Sequence, residues 1–248
     1  MDAVPGMFAV IPGLAVGSFL NVVAARLPVR RSIVGPRSLC ASCSTPIAWY
    51  DNVPLASFVL LRGRCRTCRA PIGLIHPLVE LATAGLLAGC AVAFGVSLRA
   101  AAAAVFCAAL VVVTATDLTH RVVPNRVVLP AAAVVLATMT IAEPSPQWVA
   151  GAVLAAVFLL AAALAYPSGM GMGDVKLALL MGAALGRTVP VALFVAMLSA
   201  LVPSLVLFAR HGSRARKMAI PFAPFLALGS VVALFSGDAL VRAYLSLL

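Results

Sequence analysis

Charge is scarce in this sequence. Only 10% of its 248 residues are Asp, Glu, Lys or Arg, while 63% are hydrophobic and the mean hydropathy is +1.12. A soluble domain is about a quarter charged, so the composition excludes one and describes an integral membrane protein. Aromatic residues are also few, at 6%. The apolar segments are long runs of Ala, Val and Leu rather than alternating strands of about ten residues, which excludes an outer-membrane barrel. No 20–50-residue internal repeat, low-complexity tail or separating linker is visible. Acids are the scarcest class, seven against 18 Lys and Arg.

Windows of about 20 residues, the length that crosses a roughly 30 Å hydrocarbon core, predict an all-α, polytopic bundle of about eight spans. They fall near 6–27, 76–98, 100–116, 127–142, 148–167, 175–187, 189–209 and 220–246. The sixth, Val175 to Arg187, is short for a full crossing, which leaves seven spans open. With the N-terminus outside, the inner segments 28–75, 117–126, 168–174 and 210–219 and their flanks hold fifteen of the eighteen bases. Only Arg99, Arg187 and Arg242 fall outside. Lys and Arg in short loops set orientation, so the net charge of +11 reads as topology, and a nucleic-acid partner is not expected. Met1 to Gly6 carries Asp2 and no base, so the first stretch reads as a retained helix rather than a secretory signal. The expected organisation is a first transmembrane helix over 1–27, a cytoplasmic cysteine loop over 28–75 and a transmembrane core over 76–248.

In that loop, Cys40-x-x-Cys43 and Cys65-x-x-Cys68 are separated by 21 residues, close to the spacing at which two turns each present two thiolates to tetrahedral zinc. Cytoplasmic thiols stay reduced, which disfavours two disulfides. So short a loop buries little core, and a structural zinc would supply the missing folding free energy. Free or redox-active cysteines are the alternative. Cys90 and Cys107 sit in apolar spans and read as packing residues. His76, His120 and His211 lack ligand spacing and read as interfacial.

Asp2, Glu143 and Asp238 lie near outer span ends and Asp51 in the loop, leaving Asp117, Asp174 and Glu80. A carboxylate at a membrane boundary is costly unless it faces a cavity or partner. Asp117 ends the third span and Asp174 opens the sixth, 57 positions apart, both at the expected cytoplasmic boundary. Brought together, two such carboxylates share a proton, which is the requirement of an aspartyl protease: one member deprotonates water while the other polarises the scissile carbonyl. Gly171 and Gly173 would let substrate main chain approach and permit φ > 0. The structural alternatives are a helix end paired with His120 or Arg121 for Asp117, and an N-cap for Asp174. Lys176 either pairs with the aspartates or snorkels to headgroups. Glu80 either serves a site or caps and packs beside Pro77.

These residues sit in a wider set of motifs: Gly17-Ser-Phe-Leu-Asn21, Arg26-Leu-Pro28, the two cysteine pairs around Trp49-Tyr50-Asp51-Asn52, His76-Pro-Leu-Val-Glu80, Asp117 with Val123-Pro124, Gly171-Met-Gly-Asp174-Val-Lys176, and Ile220-Pro221-Phe-Ala-Pro224. Together they make the chain similar to the prepilin peptidases, in the Gly-x-Gly-Asp group of intramembrane aspartyl proteases. The resemblance implies an inner-membrane endopeptidase that removes the basic leader of prepilins and pseudopilins, cutting after a glycine on the cytoplasmic side. It implies catalytic roles for Asp117 and Asp174, motif support from Gly171, Gly173, Lys176, Pro124 and Glu80, and, in members with the long cysteine loop, N-methylation of the new terminus by S-adenosylmethionine, with the 28–75 loop as the methyltransferase region. Membrane lipids are expected partners, anionic ones neutralising the basic loops. The chain departs from the pattern at Ala223, where a glycine often stands, a change expected to leave the aspartates untouched. A proton-coupled transporter is the alternative function, disfavoured because no inverted repeat or mid-span acid is present. A catalytically idle scaffold is a third reading.

Overall fold

The computed structural model describes residues 4–35, 37–166, 170–212 and 220–247. Asp2, Arg214, Arg216 and Lys217, used above to argue topology, lie outside them. The regular structure among the described residues is helical, with two isolated β-bridges and otherwise turns and loops. It forms two compact units, Met1–Ala100 and Ala101–Leu248.

The first unit contains α1 (Val4–Arg26), a polar loop with a 3-10 turn over Trp49–Asn52 and the short α2 (Ala56–Leu60), and α3 (Ile75–Phe94). Glycines set how α1 meets α3. Gly6 lies on Val92, Gly13 on Ala84 and Gly17 on Glu80, so the helices run antiparallel. A Cβ on Gly13 or Gly17 would stand 2.7 Å from the Cα of Ala84 or Glu80. Such a small-xxx-small stripe supplies contact in a bilayer, where apolar side chains gain little by leaving lipid.

The second unit holds α4 (Leu98–His120), whose first residues precede its boundary, and α5 (Asn125–Ala142), α6 (Gln147–Ala165), α7 (Met172–Leu185), α8 (Val189–His211) and α9 (Ala223–Leu245). Its core draws on Phe106, Leu110, Val113, Val128, Leu159, Leu177 and Leu226. Helices α6 and α7 press backbone to backbone where Gly151 meets Gly182.

Seven stretches among the described residues are long and apolar enough to cross a membrane, and one of them, Met172–His211, runs for 40 residues. It is two helices. Asp117 hydrogen-bonds Ala223 at the start of α9 and lies in electrostatic reach of Asp174 at the start of α7, so α7 and α9 begin together. Thr188 packs on Gly237, and Ala192 and Ala196 pack on Gly229, so α8 returns antiparallel to α9. The chain reverses at Gly186, whose φ of 52° favours glycine, through a 3-10 turn over Gly186–Thr188. Among the described residues, eight helices therefore stand at the eight expected segments. The sixth, α7, has 14 residues and rises only about 21 Å against a core of roughly 30 Å.

Candidate active site and metal centre

Asp117 and Asp174 stand at one end of the second unit. Asp117, near the C-terminus of α4, is 7% exposed. Its Oδ2 accepts the Ala223 backbone N–H at 3.2 Å, and the Arg121 guanidinium lies within Coulombic range. Helix α4 ends because Arg121 takes φ 54° while still donating to the Asp117 carbonyl, and Pro124 then caps α5 in extended conformation. Asp174 is the third residue of α7, with Gly171 as N-cap: its Oδ2 accepts the Gly171 N–H at 3.4 Å and its N–H donates to the Gly171 carbonyl. It thus closes the first turn from inside rather than serving as the N-cap. Lys176 Nζ donates to Asn125 Oδ1 at 3.0 Å, tying the starts of α7 and α5.

The glycines do not use the positive φ they permit. Neither Gly171 nor Gly173 has positive φ. Gly173 is bare because Val123 occupies the space its Cβ would need, 2.8 Å away, so it serves the docking of α7 on the α4–α5 link. The Ala223 departure falls on the residue whose amide holds Asp117, and because glycine carries the same N–H the change leaves that bond in place. A backbone donor is carried by every residue but proline, so no sequence signal singled it out. Asn125 was missed for a similar reason, since its partner lies 51 positions away.

Glu80 is buried near the start of α3, against Gly17 of α1. Its Oε2 accepts the Leu55 N–H at 2.8 Å, which fixes α3 to the loop where Leu55 adopts φ 55°.

The four loop cysteines form one cluster with all Sγ atoms within 4.8 Å of each other, Cys40 and Cys68 being 3.7 Å apart. A tetrahedral ion with metal–sulfur bonds of about 2.3 Å separates its ligands by about 3.8 Å, so the donor set is fit to hold one metal ion. Each pair sits in the same knuckle. Leu39 bridges Pro46 and Arg64 bridges Pro71; the Cys40 and Cys65 amides donate to the Thr45 and Ala70 carbonyls; Ser44 and Arg69 take φ 57° and 60°. The sequence carries this as Cys-x-x-Cys-x-x-Pro-Ile at 40–47 and again at 65–72, a local duplication that a search for long repeats passes over. The Thr45 hydroxyl and amide draw the Cys43 thiol down to about 6. The amides of Cys68 and Thr67 lower Cys65. Cys68 goes up to about 11: the Ala70 amide pulls it down, but partial desolvation and the neighbouring thiols of Cys43, Cys65 and Cys40 together raise it by more. Beside the knuckles Arg66 clasps Asp51 through Nε and Nη2, at 2.8 and 2.6 Å, and holds its carboxyl below the ordinary carboxylate range.

Residues 11–94 match the Bacterial Peptidase A24 N-terminal domain, and residues 104–205 match the Type IV leader peptidase family. A "Prepilin leader peptidase/N-methyltransferase" of Bacillus subtilis is 34% identical over 95% of this chain and 96% of its own length. The chain belongs to the type IV leader peptidase family. Leader peptidases of the same description from Burkholderia pseudomallei (36% identical, 93% of this chain and 85% of the relative) and Pseudomonas aeruginosa (33%, 95% and 92%) are similar along nearly their whole length. No solved structure matches. Membership makes the chain a multi-pass membrane peptidase and sets the transporter alternative aside.

Proposed function

We propose that the chain is a prepilin peptidase that cleaves the basic leader of prepilins or pseudopilins after a glycine, with Asp117 and Asp174 as the catalytic dyad. The observation that carries this reading is the convergence of two carboxylates, 57 positions apart in sequence, on one end of a helical unit. One aspartate, ionised, takes a proton from the attacking water; the other, protonated, polarises the carbonyl oxygen through a hydrogen bond and then gives that proton to the leaving amine. The Ala223 amide fixes the Asp117 carboxylate, and the Lys176–Asn125 bond fixes the end of α7 that carries Asp174. The N-terminus lies outside and the aspartates and cysteine loop lie at the cytoplasmic face of the inner membrane. A substrate anchored by its own helix reaches the site by lateral diffusion.

Zinc, held by Cys40, Cys43, Cys65 and Cys68, is structural in this reading. The relatives' names support a second activity, methylation of the new N-terminus, for which S-adenosylmethionine supplies a methyl group on a sulfonium. The test is incubation of the purified protein with a peptide carrying a basic leader, a glycine and an apolar segment, read by mass spectrometry. Cleavage after the glycine, with a methylated terminus when the donor is present, is expected. An intact peptide would contradict the reading.

A further inference from the structure

The cysteine loop joins the C-terminus of α1 to the N-terminus of α3, and because these helices are antiparallel both its ends leave the bilayer on the same side. Residues 28–75 carry seven arginines and one acid, Asp51, which Arg66 already clasps. The two knuckles form an internal comparison. They share one backbone and one donor set, yet residues 39–47 of the first contain no base, while the matching residues 64–72 contain Arg64, Arg66 and Arg69. Neither the turn nor the metal therefore asks for arginine. Ser44 fills in the first knuckle the positive-φ place that Arg69 fills in the second, at 57° and 60°. Among the described residues six other than glycine take positive φ, and Arg30, Arg62, Arg69 and Arg121 are four of them. Side chains with a Cβ are disfavoured there, and glycine or asparagine is the ordinary occupant, so charge at these turns outweighs backbone preference.

Apolar surface lies next to these arginines. In α2, Ser57 and Phe58 turn inward: the Ser57 hydroxyl donates to the Tyr50 carbonyl at 2.9 Å, and the Phe58 ring lies against Gly63. Val59 and Leu60 stay outside, 70% and 81% exposed, and Trp49, in the turn on which α2 docks, is 82% exposed. Exposed Arg62 and Arg64 follow at once. This is the composition of a segment that lies in a bilayer surface, with tryptophan and aliphatic groups at the boundary of headgroups and acyl chains and cations among the phosphates. The charge commits the surface to an anionic partner, and tethering at both ends puts the headgroups of the same bilayer within reach.

We propose that the loop docks on anionic phospholipid, with Trp49, Val59 and Leu60 entering the headgroup boundary and Arg62, Arg64 and Arg69 holding phosphates. The first unit is then bound to the bilayer at three places, through α1, through α3 and through the tip of its loop, and the knuckles are the rigid mount that presents the arginines. The cytoplasmic leaflet is the surface concerned in the topology proposed above. A lipid disc offers both leaflets, so failure of the dock leaves that topology standing.

The test is fluorescence quenching in the full chain, one copy per lipid disc, with Trp148→Phe so that Trp49 alone of the two tryptophans emits. Metal content and melting temperature are checked for each variant. In discs of phosphatidylcholine with phosphatidylglycerol, lipids brominated on the acyl chain are expected to quench Trp49, and in discs of phosphatidylcholine alone that quenching is expected to be lost. Arg62→Gln, Arg64→Gln and Arg69→Gln combined are expected to lose it in anionic discs too. Unquenched Trp49 in anionic discs would overturn the proposal, as would equal quenching in the two kinds of disc or undiminished quenching in the triple variant. Hydrogen exchange over residues 56–61 of the unsubstituted chain decides the matter if a variant misfolds. Slower exchange in anionic discs supports the dock, and the same rate in both overturns it. Protection that follows the number of chains per disc instead of the anionic lipid would assign the surface to a second copy and overturn it as well. Leader cleavage and methylation stand on their own test whatever the result.

Discussion

Asp117 is held by an amide 106 positions away, so the residue that matters beside it is defined by its backbone. Ala223→Gly keeps the N–H and is expected to cleave at the wild-type rate. Ala223→Pro removes it, and proline is tolerated at the first position of a helix, although Phe222 then precedes a proline. Loss of a hydrogen bond to a charged group is expected to slow cleavage about tenfold, measured on protein whose melting temperature shows it folded. The aspartates themselves were legible because a chain with seven acids leaves few candidates at helix ends. The amide was not, because its identity lies in where α9 begins. Glycine at 173 was legible as a requirement but not as to cause: packing on Val123, rather than backbone conformation, demands it.

At the scale of elements, hydropathy located the helices and could not give their directions. The apolar run from α7 into α8 is nearly continuous, and hydropathy measures how apolar a segment is, so the reversal at Gly186 is carried by one residue's φ. The α6–α7 contact is expected to be intolerant: Gly182→Val places side-chain atoms against the Gly151 carbonyl. It should cost about 1–3 kcal/mol or more of stability, read as a lower melting temperature. The knuckles make a second element-scale prediction. Replacing Cys40 and Cys43 with Ser removes half the ligand set, and the metal content is expected to fall from about one zinc per chain to none. A metal-free wild type of equal stability would contradict the zinc assignment.

For the whole molecule, the bases of the second unit divide by end. Arg121, Arg126, Lys176 and Arg210 share the end that carries the aspartates, whereas Arg187, paired with Asp238 at 3.1 Å, and Arg242 lie toward the other. In the proposed topology the aspartate end is the cytoplasmic end, the side on which the positive-inside rule gathers bases. In intact cells a membrane-impermeant maleimide is expected to label Ser145→Cys, in the link between α5 and α6, and to leave the wild type unlabelled. Labelling of the native loop cysteines from outside would reverse the orientation. The central claim is that the two carboxylates act as one catalytic unit. It is tested most directly by assaying leader cleavage in Asp117→Asn and Asp174→Asn proteins of wild-type melting temperature. Each single substitution is predicted to abolish cleavage as completely as both together, and retained cleavage in either would contradict the dyad.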